Sequence, residues 1–186
     1  MNPDRLHPFP RLETERLILR NVKIEDSTPF HIQRTDSRVL KYMDREPFKE
    51  EAETVRWVRE KMDDWEQKKA ISWVLTDKKT GQFMGDIAFW RFWAQDHRAE
   101  IGYGMMPEHW GQGYMREAGQ AALKWGFEVL GLRTVMADII PDNDASRQLL
   151  LRWGFKKEGY LRENCFFRGG YVDSEIYGLV SGELLD

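Results

Sequence analysis

The stretch Trp110-Gly111-Gln112-Gly113-Tyr114-Met115 carries most of the information about how this chain folds, because it joins a strand pattern to a helix pattern. The preceding residues, 99–105, alternate with the period of two that is typical of a strand. The residues that follow place apolar side chains at three- and four-residue steps, which predicts a helix ending at Gly131: Met115, Ala118, Ala122, Trp125 and Val129. The sequence therefore predicts a tight turn from strand to helix.

The two glycines of this turn, Gly111 and Gly113, allow the backbone to bend sharply and to approach a ligand without a Cβ in the way. The N–H groups of the first helical turn, together with the helix dipole, favour phosphate oxygens. Arg116 stands where the third glycine of G-x-G-x-x-G would be, and neither Gly-Lys-Ser nor Gly-Lys-Thr follows, so Rossmann and Walker loops are disfavoured. Two interpretations remain: a pyrophosphate-binding loop, or only a tight connection.

A second helix with clear boundary signals follows. Residues 133–140 form a β-rich run that Pro141 closes. The segment 142–146 (Asp-Asn-Asp-Ala-Ser) has the residue types that begin helices. Leu149, Leu150 and Trp153 continue the helical pattern, and Gly154 is a typical C-terminal stop. The sequence thus predicts a strand and a helix directly after the first pair.

The remaining segments fit one continuous α/β domain over residues 1–186, without repeats, low-complexity stretches or flexible linkers. We expect strands at 15–20, 71–76 and 82–92, the last two joined by a hairpin turn at 77–81. A helical region is expected near 25–35, and a longer helix at 49–67, where Val55, Val58, Met62 and Trp65 share a face. Two final strands are expected near 155–166 and 171–180, linked around Arg168-Gly169-Gly170.

Composition narrows the class of protein. With 186 residues, 41% hydrophobic and 32% charged, the chain is long enough to bury a substantial core. A net charge of −3 gives no basic footprint for nucleic acid, and no apolar run has the length of a membrane span. Cys165 is the only cysteine and has no metal-ligand companions. We expect a soluble cytoplasmic protein with no bound metal and no nucleic-acid or membrane partner.

The order of several short motifs resembles the GNAT superfamily of acetyl-CoA-dependent N-acetyltransferases, and most closely its RimJ/RimL-like branch, which acetylates ribosomal-protein N-termini. The motifs span nearly the whole chain: Thr14-Glu15-Arg16-Leu17-Ile18-Leu19-Arg20, Glu100-Ile101-Gly102-Tyr103, Trp110-Gly111-Gln112-Gly113-Tyr114-x-x-Glu117-Ala118, Asn143-x-x-Ser146, Gly154-Phe155, Glu158-Gly159, and Tyr171-Val172-Asp173 with Tyr177. The resemblance implies an α/β (α+β) fold with a mixed, mostly antiparallel sheet and helices on both faces. It also implies that the strands flanking the glycine loop splay apart and expose backbone to the pantetheine arm of the cofactor.

The resemblance implies acetyl-CoA as cofactor, with CoA as the product, and no metal. The residues that it places on the cofactor are Met105, Gly111, Gln112, Gly113, Tyr114, Met115, Arg116 and Asn143. Arg116 has an equally plain interpretation as a solvated helix residue, and Asn143 as the residue that caps its helix. Trp110 is typical of the RimJ/RimL-like branch.

Acetyl transfer to an amine needs a base for the amine and an acid for the departing thiolate. Glu100 is the first candidate base, because it lies on the face of the strand that carries Gly102 and Gly104, where a substrate or a relaying water has room. Glu163 and a chain of waters are the alternatives, and a structural carboxylate is the other interpretation of Glu100. The tyrosine that many GNAT enzymes use as acid falls on Leu150 here, which leaves Ser146, either as the acid or as a helix-capping hydroxyl.

The acceptor stays open at the level of sequence. The resemblance predicts an acyltransferase that acetylates a primary amine, with a protein N-terminal α-amine, a small amine, a polyamine or an antibiotic as candidates. A rival interpretation is a non-catalytic acyl-CoA-binding module. Specificity is expected in the first two helices and in the connection 166–171, and we expect a monomer or a homodimer.

Overall fold

The computed structural model describes residues 1–43, 46–167 and 169–185, and within these the strands form a single sheet. The strands are β1 (Leu12–Glu13), β2 (Leu17–Asn21), β3 (Ile71–Asp77), β4 (Phe83–Trp93), β5 (Arg98–Met105), β6 (Thr134–Ile139), β7 (Lys156–Phe167) and β8 (Gly170–Val180). The α-helices are α1 (Ser27–Thr35), α2 (Ser37–Leu40), α3 (Glu51–Glu66), α4 (Tyr114–Trp125) and α5 (Asp144–Trp153). Arg168, which the sequence placed in the last turn, lies outside the described residues.

The eight strands of the described chain run in the order β1-β2-β3-β4-β5-β6-β8-β7. β5 and β6 pair in parallel, and the other neighbours pair antiparallel. A parallel pair needs a crossover connection, and α4 supplies it between β5 and β6. The expected mixed, mostly antiparallel sheet is confirmed.

Helices cover both faces of the sheet, so its central strands are buried on both sides. In β3, Trp73 and Leu75 belong to the large core that includes residues of α4 and α5, whereas Val74 belongs to a smaller core with Phe30 of α1 and Val58 of α3. Strands buried on both faces have near-continuous apolar sequences instead of alternating ones. The near-continuous apolar run at 71–75, which only Ser72 interrupts, reflects this position.

Among the described residues, none of the helices has the length and apolar character that a membrane span requires.

The boundary signals of α5 and of the hairpin act as expected. The side chain of Asn143 accepts the backbone N–H of Ser146, and Gly154 ends α5 with φ +97°. Asp77 accepts the backbone N–H groups of Lys79 and Thr80 in the hairpin turn. These signals were readable because each depends on residues that are adjacent in the chain.

The predicted apolar face of α4 is wrong at its last member, Val129. A π-helical turn at Gly126–Leu130 follows α4 and ends at Gly131, which has φ +77°. The wider turn rotates the following side chains, so Leu130 is fully buried while Val129 is 43% exposed. A constant helical period cannot anticipate such a turn. The sequence also did not predict β1 and α2, which have two and four residues and are too short to show a period.

Gly119 of α4 allows the closest approach between α4 and α5. A Cβ built at this position would lie 1.9 Å from Cζ2 of Trp153, which is fully buried and donates its indole N–H to the Arg116 carbonyl over 3.0 Å. Since both the ring and the helix are held, neither can move aside easily.

We therefore predict that Gly119→Ala destabilises the protein, by about 2 kcal/mol in the free energy of unfolding, because overpacking outweighs the better helix propensity of alanine. Urea unfolding measures the effect. Helix propensity alone would stabilise the variant by about 1 kcal/mol, so a gain in stability would contradict the packing described here.

Candidate active site

The glycine loop has the backbone geometry expected from its sequence. β5 ends at Met105, a 3₁₀ turn follows at Pro107–His109, and Gly111 and Gly113 have φ of +72° and +80°. Gly113 is the N-cap residue of α4, and no side chain of this residue caps the helix. The first N–H groups of a helix have no partner within the helix, so those of α4 are available to an anion.

Trp110 and Arg16 hold the glycine loop in place. The indole N–H of Trp110 donates to the carbonyl of Met105 over 2.8 Å, which ties the loop to the end of β5. Arg16 donates to both carboxylate oxygens of Glu117, through its backbone N–H at 2.8 Å and its Nε at 2.7 Å. Its Nη1 also donates to the carbonyl of Gln112 over 3.0 Å. These contacts within the protein fix the position of the loop.

β5 and β6 separate beside this loop, as the resemblance implied. Their pairing runs from Arg98 opposite Thr134 to Glu100 opposite Met136, and the later residues of both strands line a cavity. The cavity has a volume of about 810 Å³ and reaches from the glycine loop, past β5 and α5, to the end of α2. This volume is within the range of ligand-binding pockets.

Seven of the eight predicted cofactor residues line this cavity, and Gly111 and Gly113 lie at its loop end. The lining members are Met105, Gly111, Gly113, Tyr114, Met115, Arg116 and Asn143, so that only Gln112 is not among the lining residues. The side-chain amide of Gln112 instead donates to the carbonyl of Glu108 over 2.8 Å. Met115 is buried and belongs to the large core.

Six of the seven belong to the segment from Met105 to Arg116, and they form the wall at the loop end of the cavity. Asn143 is the seventh, and it lines the cavity from the start of α5. Seven of the eight predicted cofactor residues are therefore brought together around one cavity.

The charges around the cavity favour an anionic ligand. Among the described residues that line it, four carry cationic side chains and one, Asp138 of β6, is acidic; the cationic residues are Arg38, Lys41, Arg116 and Arg152. Opposite charges attract, and a wall with one prevailing sign raises the local concentration of its counter-ion. A ligand with several phosphate groups fits this distribution.

Ser146 lies in the first turn of α5, and its hydroxyl does not cap the helix. Asn143 caps it instead, by accepting the Ser146 N–H over 3.1 Å. The Ser146 Oγ lies 2.6 Å from the hydroxyl of Tyr103 on β5, and both residues line the cavity. Leu150, one turn later, is fully buried in the large core, so the place of the usual tyrosine offers no acid here.

Glu100 is buried in β5 and is not among the residues that line the cavity. Its carboxylate accepts a hydrogen bond from Nη1 of Arg91 over 3.0 Å. Burial raises the pKa of Glu100, Arg91 opposes this rise, and the charge of Asp138 adds to it. Gly102, the next residue on the same face of β5, does line the cavity. Glu100 therefore lies two residues along the strand from Gly102, which lines the cavity, but does not line the cavity itself.

The alternative base, Glu163, lies apart from this arrangement. It is exposed on β7 with φ +49°, and its backbone N–H donates to Asp173 over 2.8 Å. It is not among the residues that line the cavity. Cys165 is half-buried on the same strand, and its sulfur contacts the carbonyl of Phe166.

The sequence did not indicate three contributors to this site. Tyr103 and Asp138 line the cavity, and Arg16 holds the glycine loop in place. Tyr103 and Asp138 both follow the point where β5 and β6 separate, and polar residues at the open ends of two diverging strands are a signal for a site. Arg16 and Glu117 both belong to the motifs quoted above, but nothing in the sequence pairs them.

Comparisons with known proteins agree with this geometry. Residues 16–156 match the family model described as the acetyltransferase (GNAT) domain. The uncharacterized N-acetyltransferase YoaA of Bacillus subtilis (strain 168) is 33% identical over 172 residues, which cover 92% of this chain and 97% of the relative. The ribosomal-protein-serine acetyltransferase of Escherichia coli (strain K12) is 33% identical over 102 residues, which cover 55% of this chain and 57% of the relative.

A solved structure shares the fold. The spermidine N-acetyltransferase of Vibrio cholerae, in complex with CoA and spermine, superimposes with a TM-score of 0.81 at 22% identity and covers 91% of this chain and 98% of its own. At this identity the likeness concerns the fold.

Proposed function

The chain belongs to the GNAT acetyltransferase family, and from this premise we propose that it binds acetyl-CoA and transfers the acetyl group directly to a protein N-terminal α-amine. The family and the enzyme class that the motifs indicated are confirmed, and the relatives include a ribosomal-protein acetyltransferase. The rival interpretation of a non-catalytic module does not fit relatives that are named N-acetyltransferases.

The cationic wall of the cavity is the observation that supports acetyl-CoA most directly. Arg38, Lys41, Arg116 and Arg152 line the cavity together with the glycine loop. In the proposed complex, the N–H groups at the start of α4 hold the pyrophosphate, and the exposed backbone between β5 and β6 accommodates the pantetheine arm. The acetyl group would then lie near Ser146 and Gly102.

In the proposed reaction, the acceptor amine loses a proton as it attacks the thioester carbonyl. Glu100 accepts this proton through a water over Gly102, because Glu100 does not line the cavity itself. When the C–S bond breaks, its electron pair goes to sulfur, and Ser146 supplies a proton to the thiolate. Glu100 then returns the proton through water to Ser146, which restores both residues, so one proton passes overall from nitrogen to sulfur.

The charge of the cavity also bears on the acceptor. In the free protein the cationic side chains around the cavity, of which Arg38 is paired with Asp36, do not attract a polyamine. A polyamine carries several positive charges, whereas a peptide N-terminus carries one. The Escherichia coli relative that acts on a ribosomal protein supports the same acceptor class, while the spermidine enzyme shares only the fold.

A panel of acceptors tests the proposal. Peptides with a free N-terminus should be acetylated with acetyl-CoA, and the same peptides with a blocked N-terminus and a free lysine should not. Spermidine and an aminoglycoside represent the small-amine alternatives. Faster acetylation of either of these would assign the protein to a small-molecule acceptor, and no acetylation of any amine would overturn the proposed function.

A further inference from the structure

We propose that Tyr103 is a positioning residue, which holds the Ser146 hydroxyl toward the thioester sulfur and stabilises negative charge on the Ser146 oxygen. The proposal rests on the proposed function, since it concerns how the CoA thiolate leaves. The observation that carries it is the 2.6 Å contact between the Tyr103 hydroxyl and Ser146 Oγ in the wall of the cavity.

The ring of Tyr103 is fixed by its packing. It meets the indole of Trp153 edge to face, with ring centroids 5.2 Å apart and an angle of 89° between the planes. Trp153 is itself fully buried and donates its indole N–H to the carbonyl of Arg116. The tyrosine hydroxyl is therefore presented from β5 to α5 at a defined place.

Ser146 is fixed from the other side. Its backbone N–H is bound by Asn143, so its place in the first turn of α5 does not depend on its own hydroxyl. A serine hydroxyl that does not cap its helix can rotate, and the contact with Tyr103 selects one orientation. In this way two secondary-structure elements converge on a single oxygen atom.

The direction of the hydrogen bond follows from the chemistry of the two groups. A phenol is a more acidic donor than an aliphatic hydroxyl, so Tyr103 donates and Ser146 accepts. Burial raises the pKa of Tyr103, which keeps the phenol protonated and able to donate. With its lone pair engaged by Tyr103, Ser146 directs its own proton into the cavity.

The C–S bond breaks and its electron pair goes to sulfur, and the Ser146 proton moves to sulfur. The oxygen of Ser146 then carries negative charge, which the hydrogen bond from Tyr103 stabilises. Because the phenol is the stronger acid of the two, the Tyr103 proton moves toward the Ser146 oxygen as the Ser146 proton leaves for sulfur. The proton released by the acceptor amine then restores the hydrogen-bonded pair.

A double-mutant cycle tests whether Tyr103 acts through Ser146. The variants are Tyr103→Phe, which keeps the ring on Trp153, Ser146→Ala, and the two combined. We expect Ser146→Ala to lower kcat about a hundredfold and Tyr103→Phe to lower it about tenfold. The affinity for CoA, measured by calorimetry, should be unchanged in both variants. The double variant should be no slower than Ser146→Ala alone, because the contact is already lost.

A second measurement needs no acceptor. The thiolate of bound CoA is followed by its ultraviolet absorbance as the pH is raised. In the wild-type protein, Ser146 should stabilise the thiolate and lower the pKa of the bound thiol. Ser146→Ala and the double variant should raise that pKa to the same value, and Tyr103→Phe should raise it part of the way. If Tyr103→Phe acted without Ser146, it would not shift the titration of the bound thiol in the direction of Ser146→Ala.

Tyr177→Phe is the matched control. It removes another buried tyrosine hydroxyl, which donates to Glu175 over 2.9 Å on β8 and does not line the cavity. Its kcat and its thiol titration should match the wild type. The proposal is overturned if the two losses multiply in the double variant, or if bound CoA titrates alike in wild type and Tyr103→Phe. Absence of CoA binding to the wild type would instead overturn the proposed function, and this inference with it.

Discussion

Gly113→Glu should weaken CoA binding by about a hundredfold or more, from the micromolar affinity expected for a site of this kind. Gly113 has φ +80°, a conformation that costs a residue with a side chain about 1–2 kcal/mol. The carboxylate would also place negative charge at the start of α4, where the proposed pyrophosphate lies. Isothermal calorimetry with CoA measures the change.

Gly81→Glu separates backbone strain from the effect on the cofactor. Gly81 has φ +75° and open space around it, and it lies in the turn between β3 and β4. The same substitution there brings the same strain and the same charge, so folding should suffer equally while CoA affinity is unchanged. Undiminished binding by the Gly113 variant would show that the glycine loop is only a tight connection.

Glu100→Gln should lower kcat about a hundredfold and remove the rise of the rate with increasing pH. A base works only when deprotonated, so the wild-type rate should rise as the pH passes through the pKa of Glu100. Burial raises this pKa, which places the rise above the ordinary range of a glutamate. The pH profile of kcat/KM for the free enzyme reports it.

Two neighbours of Glu100 sharpen this test because they shift its pKa in opposite directions. Arg91 lowers the pKa, so Arg91→Ala should move the rise to higher pH. Asp138 raises it, so Asp138→Asn should move the rise to lower pH. If Asp138→Asn abolishes the rise and Glu100→Gln leaves it intact, the base is Asp138.

Much of the fold could be predicted because its signals are local. The strand before the glycine loop, the helix after it, the Asn143 cap and the Gly154 stop each depend on residues a few positions apart. The failure at Val129 is of the same kind, since a single π-helical turn breaks the constant period on which the prediction relied.

The candidate site was predicted only in part. Seven of the eight proposed cofactor residues line one cavity, because the loop and the two helix starts that carry them have readable backbone signals. Glu100 is close to that cavity but is buried beside Arg91, which no periodicity indicates. Tyr103 was visible in the sequence as a strand residue within a family motif, but nothing indicated its contact with Ser146.

The sequence by itself determined where most of the strands and helices lie, and that a glycine turn, either a phosphate-binding loop or a tight connection, lies between β5 and α4. Only the tertiary structure decided which side chains meet: Arg16 with Glu117, 101 residues apart, and Tyr103 with Ser146, 43 residues apart. The physical reason is that helix and strand patterns reflect the backbone geometry of neighbouring residues. A contact between distant residues depends instead on how β2, β5, α4 and α5 pack on the shared core, which no single segment encodes.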